Sequence, residues 1–465
     1  MRGTEHRRAL VSLAYPVYLE LLAGVTAGIV NMVWVAGLGG AAVAAVAVAT
    51  NLENLLLGVI LAAGSGTTVL VARARGADDP AAVRSAVRGG WALWAAVTPV
   101  VAAGGFLCRE PLARLVLGGG EGGALPLATD YLSVALPGVA VFFAGNVVDG
   151  VLKGAGDTRT PMRLALLANG LILALDPLLI LGCGLGVRGA AIATVLGRTA
   201  ALGCGLRALR RNALLRGAAR APRARTGTLR ADARRVAATG LPMSADFVVR
   251  MTGALVLVAV VARIGVTEVA AYGIATKAGY VATMAFYAVR QAAAIHTSHL
   301  LGAGHDERRA VGRQALLLGG TLGLAAALAL LAAGRWIMLA FHASDAVTAA
   351  GALYLRCLGP YLVLLACFIA LGGVFQGGGD STALARITTY GVALQLALAH
   401  ALSGAGLPGV CAAMAAAMAA QCAAAARLYR RAAPPDPPER PGPPGREPSG
   451  DDPRHRPGTA ARGVR

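Results

Sequence analysis

Apolar residues run along the chain in long blocks, broken by short clusters rich in Arg, Gly and Asp. The blocks fall at roughly 10–36, 44–71, 88–107, 126–151, 161–183, 188–209, 238–263, 269–300, 311–341, 346–375, 384–403 and 406–429. A bilayer core of about 30 Å needs about 20 apolar residues per helix. The pattern therefore predicts an all-α integral membrane protein with twelve transmembrane helices. Gly and Pro inside several blocks fit this, because neighbouring helices satisfy the backbone groups they free. A basic stretch, 210–236, separates a six-helix half, 1–209, from a second, 237–431. The segment 432–465 holds ten of the chain's 22 Pro with charges of both signs and no apolar run. It has nothing to bury and is expected to be disordered.

Composition sharpens the class. Of 465 residues 56% are hydrophobic and 14% charged, with a mean hydropathy of +0.63. A soluble domain is about a quarter charged, so a soluble enzyme, a disordered chain and a disulfide scaffold are excluded. The net charge of +20 would suggest a nucleic-acid partner in a soluble protein. Here the basic residues sit between apolar blocks and report topology instead. With the N-terminus cytoplasmic, 24 Lys and Arg fall in inside loops and five (Arg109, Arg114, Arg188, Arg263, Arg335) in outside loops. Both termini are thus expected in the cytoplasm of a plasma-membrane protein, with Lys153 among the inside loop residues. No small-residue cleavage site follows the N-terminus, so the first helix is expected to stay. The seven Cys include no C-x-x-C pair and suit small core residues. No nucleophile–base pair, metal cluster or phosphate loop points to an enzyme, and no cofactor is expected.

The halves repeat each other. Shifted by 226, the run from Val35 to Thr50 falls on that from Val261 to Thr276 with eight of sixteen positions identical. The same shift pairs Pro16 with Pro242 and Gly76-Ala77 with Gly302-Ala303. A shift of 223 pairs the Gly150–Asp157 run with Gly373–Asp380. Six helices per repeat give both halves one orientation, related by a pseudo-two-fold axis along the membrane normal. Two such lobes leave a cavity between them, which suits alternating access.

The run Gly154-Ala-Gly-Asp-Thr-Arg-Thr-Pro161-Met resembles multidrug and toxic compound extrusion (MATE) transporters. So do Asp176-Pro177, Gly240-Leu-Pro242, Ala270-Ala-Tyr-Gly-Ile274 and Leu301-Gly-Ala-Gly304 with Glu307-Arg308. The resemblance covers about residues 8–430 and is closest to the DinF-like prokaryotic branch. It implies an antiporter that exports drugs or metabolites, often organic cations, in exchange for H+ or Na+. Such a protein would act as a monomer in the lipid bilayer on a small-molecule substrate.

Ionisable residues inside spans are costly and are functional candidates by default. Asp176 leads, before Pro177, with Asn169 within about 20° of its face at 100° per residue. The resemblance implies that Asp176 carries the coupling ion and that Thr194 belongs to its cluster. It also exposes departures. The family's helix-1 acid is Asn31 here, unable to titrate, and a family Asn four residues before the helix-5 acid is Ile172. Glu20 lies three turns from Asn31 on one face, as a substitute acid at the same site. Substrate is expected against Glu53 and Asn54 of helix 2 and against Asp246, Arg250, Lys277, Arg290 and Gln291 of helices 7 and 8, with Asn31, Asn169 and Thr194 also facing the cavity. Asp246 and Arg250, one turn apart, are expected to pair. Arg250 stands where some relatives have a Glu, and the three cations together would favour an anionic or zwitterionic substrate. Two alternatives remain open: a flippase or exporter of lipid-linked or anionic substrates, and a membrane binding protein that has lost coupled transport. His296 and His299 lack a third ligand and are expected to be structural.

Overall fold

Short polar connections stop one helix and start the next by local devices. Asp79 accepts hydrogen bonds from the backbone N–H of Ala81 and Ala82 at 2.9 and 3.0 Å, and Pro80 opens the helix. The free N–H groups of the first turn are met in this way, and Pro costs nothing there. Thr228 caps another helix through Ala231 at 3.2 Å. The computed structural model describes residues 3–117, 123–220, 228–340 and 344–432. The expected disordered segment, from residue 433 on, and 221–227 of the basic stretch lie outside the described residues.

Among the described residues twelve long helices result: α1 (Gly3–Ala36), α2 (Gly40–Gly76), α3 (Pro80–Leu107), α4 (Ala124–Gly154), α5 (Arg159–Pro177), α6 (Gly186–Arg211), α7 (Leu229–Ala262), α8 (Val266–Gly302), α9 (Arg308–Ala340), α10 (Gly359–Gly378), α11 (Ser381–Ala401) and α12 (Gly406–Ala432). Ten are long and apolar enough to cross a bilayer on their own composition. The other two, α8 and α11, have 37 and 21 residues and carry more polar side chains. Three shorter helices, Arg109–Leu117, Ala213–Arg220 and Asp345–Cys357, lie in the connections. The expected single helix over 346–375 is therefore two. It breaks before Pro360, which lacks a backbone N–H to continue the ladder. Helix α7 begins at Leu229 rather than at 238.

The fold has two lobes, α1–α6 and α7–α12. The first is centred on α2 and α4, whose Ile60, Ala63, Phe143 and Val147 pack together. The second is centred on α8 and α10, where Phe286, Phe368 and Ile369 share one core. The lobes also cross. In α1, Leu10, Ala14 and Val17 pack on Ala288 and Ala292 of α8 and Val311 of α9. In the repeat-related seam, α7 lies on α2 and α3. A Cβ on Gly66 or Gly240 would collide with the carbonyl oxygen of Val236 or Ala62 across that seam. At the pseudo-two-fold axis, a Cβ on Gly76 would collide with the His299 carbonyl and one on Gly302 with that of Arg73. These two Gly are 226 residues apart, so the axis runs between them. Only residues without side chains let helix backbones approach so closely.

Candidate functional site

Between the lobes lies a cavity of about 560 Å³. It lies beyond the Gly76–Gly302 contact, at which Arg73 also donates from Nη2 to the carbonyls of Gly377 and Gly378 at 3.1 and 3.3 Å. Arg308 and Asp380 add an ion pair of 3.5 Å at the same end.

The wall given by the first lobe carries Asn54 and Asn146, and a charged group on α1 and α4. Lys153 Nζ donates to Glu20 Oε1 at 2.7 Å, and Asp149 lies one turn before Lys153 on the same helix face. All three line the cavity. Lys153 is thus buried, at 8% exposure, and not a loop residue as its place after the fourth apolar block implied.

The second lobe carries the other charged group. Arg250 points Nε and Nη2 at Asp246, both at 3.3 Å, and Arg290 Nη1 reaches it at 3.0 Å. Thr388 donates to the same carboxylate at 2.5 Å. Arg290 Nε donates to Gln376 at 3.4 Å, and the Arg250 guanidinium lies 5.2 Å from the Phe368 ring centroid. An unpaired carboxylate here would be costly; four donors remove that cost. Around them this wall is soft and aromatic, with Tyr272, Tyr280, Tyr287, Tyr354 and Tyr361 lining the cavity among five Met.

Asp176 sits in a separate place. It is fully buried, and Asn31 Nδ2 donates to its Oδ2 at 2.8 Å. Its Oδ1 has no partner among the described residues. Pro177 ends α5 directly after it, and the chain continues through a wider turn in which the Cys183 N–H reaches Leu178 O at 2.8 Å. Glu53 hydrogen-bonds Tyr131 and lies near Arg198, and Asp176 is close enough to act on Tyr131 electrostatically. The first lobe therefore holds an inner polar cluster of Asn31, Asp176, Tyr131, Glu53 and Arg198.

This differs from the sequence expectation at several residues. Glu20 does not join Asp176 but faces the central cavity. Glu53 does not line the cavity but joins the inner cluster; its neighbour Asn54 takes the cavity side. Asn31, Asn169 and Thr194 are not among the residues lining the cavity. Asn169 and Thr194 are half-buried. Lys277 is exposed on the outside of α8, away from the cavity. Asp246, Arg250, Arg290 and Gln291 do meet there. The Tyr wall and the Lys153–Glu20 pair were missed, although α8 showed the signal. Thr276, Thr283 and Arg290 recur every seven residues, as do Tyr280 and Tyr287, which places each set on one face.

A family model described as MatE matches residues 16–178 and 242–400, one stretch in each lobe. The chain is 26% identical over 303 residues to a probable multidrug resistance protein, YpnP, of Bacillus subtilis, covering 65% of this chain and 66% of that protein. It is 27% identical over 320 residues to a FAD transporter of Shewanella oneidensis, covering 67% and 68%. The matches span about two-thirds or less of the length of the curated relatives. Among solved structures, the outward-facing conformation of a multidrug resistance MATE family transporter superposes with a TM-score of 0.85 at 22% identity, over 92% of this chain and 95% of that one. With the family model filled once by each six-helix lobe, the chain belongs to the MatE family.

Proposed function

We propose that this protein is a secondary antiporter of the plasma membrane. It exports organic solutes, drugs or metabolites, in exchange for H+ or Na+ by alternating access. One observation carries the reading: a solute-sized cavity lies between two repeat-related lobes that meet at one end through Gly76 and Gly302. The positive-inside rule puts that end, and both termini, in the cytoplasm, so the solute space faces outward in this state. The names of bacterial relatives, probable multidrug resistance proteins, support efflux. The protein works as a monomer, and no cofactor is needed beyond the coupling ion.

Asp176 is the coupling residue in this reading. Among the described residues its single donor is Asn31, and one carboxylate oxygen is left without a partner. A buried carboxylate in that position takes up a proton or a cation more readily than it stays bare. Loading it alters its bond to Asn31 on α1. Because α1 also packs on the second lobe, that change reaches the contact between lobes, with Pro16 as the flexible point.

The test is dye efflux from proteoliposomes under an imposed proton or sodium gradient. Wild type is expected to move dye against the ion flux, and Asp176→Asn to lose at least about 90% of the rate, as expected when an acid that must titrate is replaced. Equal rates in the two proteins would remove Asp176 from the mechanism. A second reading, export of an acidic solute or a lipid-linked phosphate, is favoured by Arg250 and Arg290 in the cavity and by the FAD transporter among the relatives.

A further inference from the structure

Away from the central cavity, the outer side of α7 and α11 carries a groove of about 430 Å³. On their inner sides these helices are joined by the bond from Thr388 to Asp246 and by Val392 against Gly253. Both contacts advance in the same sense along the two helices, which therefore run parallel. Ala245 and Ala385 are the small residues of the groove. Leu241 and Tyr390 stand beside them, 58% and 76% exposed.

Arg386 is the charged residue among those that line the groove. It is exposed, five residues and about 7.5 Å along α11 from Ser381. Among the described residues no hydrogen bond or ion pair engages its guanidinium. A bare cation among acyl chains is costly, and a long basic side chain relieves that cost by reaching toward the headgroups. Helix side chains lean toward the N-terminus. For α11 that is the end at which Asp380 pairs with Arg308 and the lobes meet. The guanidinium is thus directed at the phosphate layer. Thr382, also in the groove, lies one turn nearer to that layer on the same face. On α7, exposed Arg234 stands seven residues before Leu241 and eleven before Ala245, within about 20° of both. It lies about 10 Å nearer than Leu241 to the same end.

We propose that this groove binds one anionic phospholipid of the leaflet at that end, with a phosphatidylglycerol-type headgroup. Its phosphodiester accepts hydrogen bonds from Arg386 and Thr382. An acyl chain lies over Ala245 and Ala385, between Leu241 and Tyr390. Arg234 adds attraction at the headgroup. A headgroup with its own ammonium sets that charge against two guanidiniums; an anionic one does not. The lipid is not cargo, because α7 and α11 stand between it and the cavity. It braces the wall that carries Asp246 and Thr388. The inference is independent of the solute and the ion that the cavity and Asp176 take.

The test is native mass spectrometry of the full chain, purified in detergent. The protein is offered dioleoyl phosphatidylglycerol and dioleoyl phosphatidylcholine in equal amounts. One phosphatidylglycerol is expected to be retained at least about fivefold over phosphatidylcholine, the preference that one basic side chain near an anionic headgroup gives. Arg386→Gln should remove the preference and Arg386→Lys should keep most of it, which separates lost charge from lost fold. Leu241→Trp fills the groove without changing charge and should lower the retention of both lipids. Arg163 stands at the corresponding place of the first lobe, at the offset of 223, and Arg163→Gln should leave the preference intact. An equal loss in Arg163→Gln would mean that the lipid follows net charge and not the groove, which overturns the proposal. An Arg386→Gln with the wild-type preference, or a Leu241→Trp with unchanged retention, overturns it as well. So does a lipid-free dimer that Leu241→Trp turns into a monomer, since the groove would then belong to a second copy of the chain.

Discussion

The two seams where the lobes cross are related by the repeat and built from different residues. In one, α7 of the second lobe lies on α2 and α3 of the first; in the other, α1 lies on α8 and α9. At the offset of 226, Gly66 and Gly89 of the first seam become Ala292 and Ala315 in the second, and Gly240 corresponds to Ala14. The first seam lets backbones touch, with Gly66 against Val236, Gly89 against Asp232 and Gly240 against Ala62. The second holds them apart by methyl groups. The polar anchors differ as well. Asp232 of α7 accepts from Arg88 Nε at 2.7 Å and from Ser85 at 2.6 Å, and is 2% exposed. Its counterpart on α1 is His6, bonded to His296 at 3.1 Å and to Glu307 at 2.9 Å. Gln314, the counterpart of Arg88, sits instead beside Gly3.

The difference assigns unequal roles to equivalent helices. Helix α7 is fixed by close backbone contact and by hydrogen bonds from a guanidinium to a buried carboxylate. Helix α1 is held by ordinary side-chain packing and by a hydrogen bond between two imidazoles. Helix α1 also carries Asn31, the donor to Asp176, and Glu20, the partner of Lys153. The more loosely held seam therefore belongs to a helix that touches the inner cluster, the cavity and the opposite lobe.

The largest effect that would sharpen this contrast comes from exchanging small residues. In Gly240→Ala the new methyl collides with the Ala62 backbone, which cannot move aside as a side chain can. Overpacking of this kind costs about 1–3 kcal/mol and sometimes more, so we expect the upper end. The reciprocal change, Ala14→Gly, removes a methyl from the looser seam and should cost about 1 kcal/mol, mainly in helix propensity. Apparent melting temperatures in detergent measure both. Equal costs would mean that the seams are equally tight and that α1 is no more mobile than α7.

The polar anchors give the next test. Asp232→Asn weakens charged hydrogen bonds from Arg88 and Ser85 to a buried group, and about 2 kcal/mol is expected. His6→Gln keeps a hydrogen-bond donor and acceptor near His296 and Glu307, and less than about 1 kcal/mol is expected on the same scale. A His6 variant that destabilised more than the Asp232 variant would reverse the comparison.

How much of this was legible in the sequence depends on the length scale of each interaction. The helices followed from apolar blocks, and the lobes from shared Gly, Pro and Asp at constant offset. The Asp246–Arg250 pair followed from one-turn spacing. Placement into sites failed where an angle was taken for a position. Glu20 and Asn31 do share a face, but eleven residues at 1.5 Å separate them by about 16 Å, so they serve different sites. Glu53 and Asn54 are about 100° apart on α2; only one could face the cavity, and the sequence did not say which. Lys277 and Arg290 are about 140° apart on α8 at 100° per residue, so a common site for them was already excluded by their spacing. The seam anchors were hidden because identity matching passes over unlike pairs such as His6 and Asp232.

The smallest effect lies in the turn between α8 and α9, beside the His6 anchor. Asp306 there accepts from Arg308 Nε and Nη2, both at 2.8 Å. In the first lobe the corresponding turn is closed by Asp79, which accepts only backbone N–H groups in the contacts described above. The hydrogen bonds from Arg308 hold the Asp306 carboxyl below the usual carboxylate range, ahead of the opposing effect of partial burial. The charged form is thus the one the fold favours. Its contribution is present at and above the ordinary carboxylate pKa of about 4 and is lost as the pH falls below that value. Asp306→Asn should therefore be slightly less stable than wild type at pH 7, and the two should converge near pH 3. The pair is partly exposed, at 33% for Asp306, so salt should shrink the gap as well. If the gap persisted unchanged at pH 3, the carboxylate charge would have no part in the turn. The α8–α9 connection would then rest, like its counterpart, on backbone capping alone.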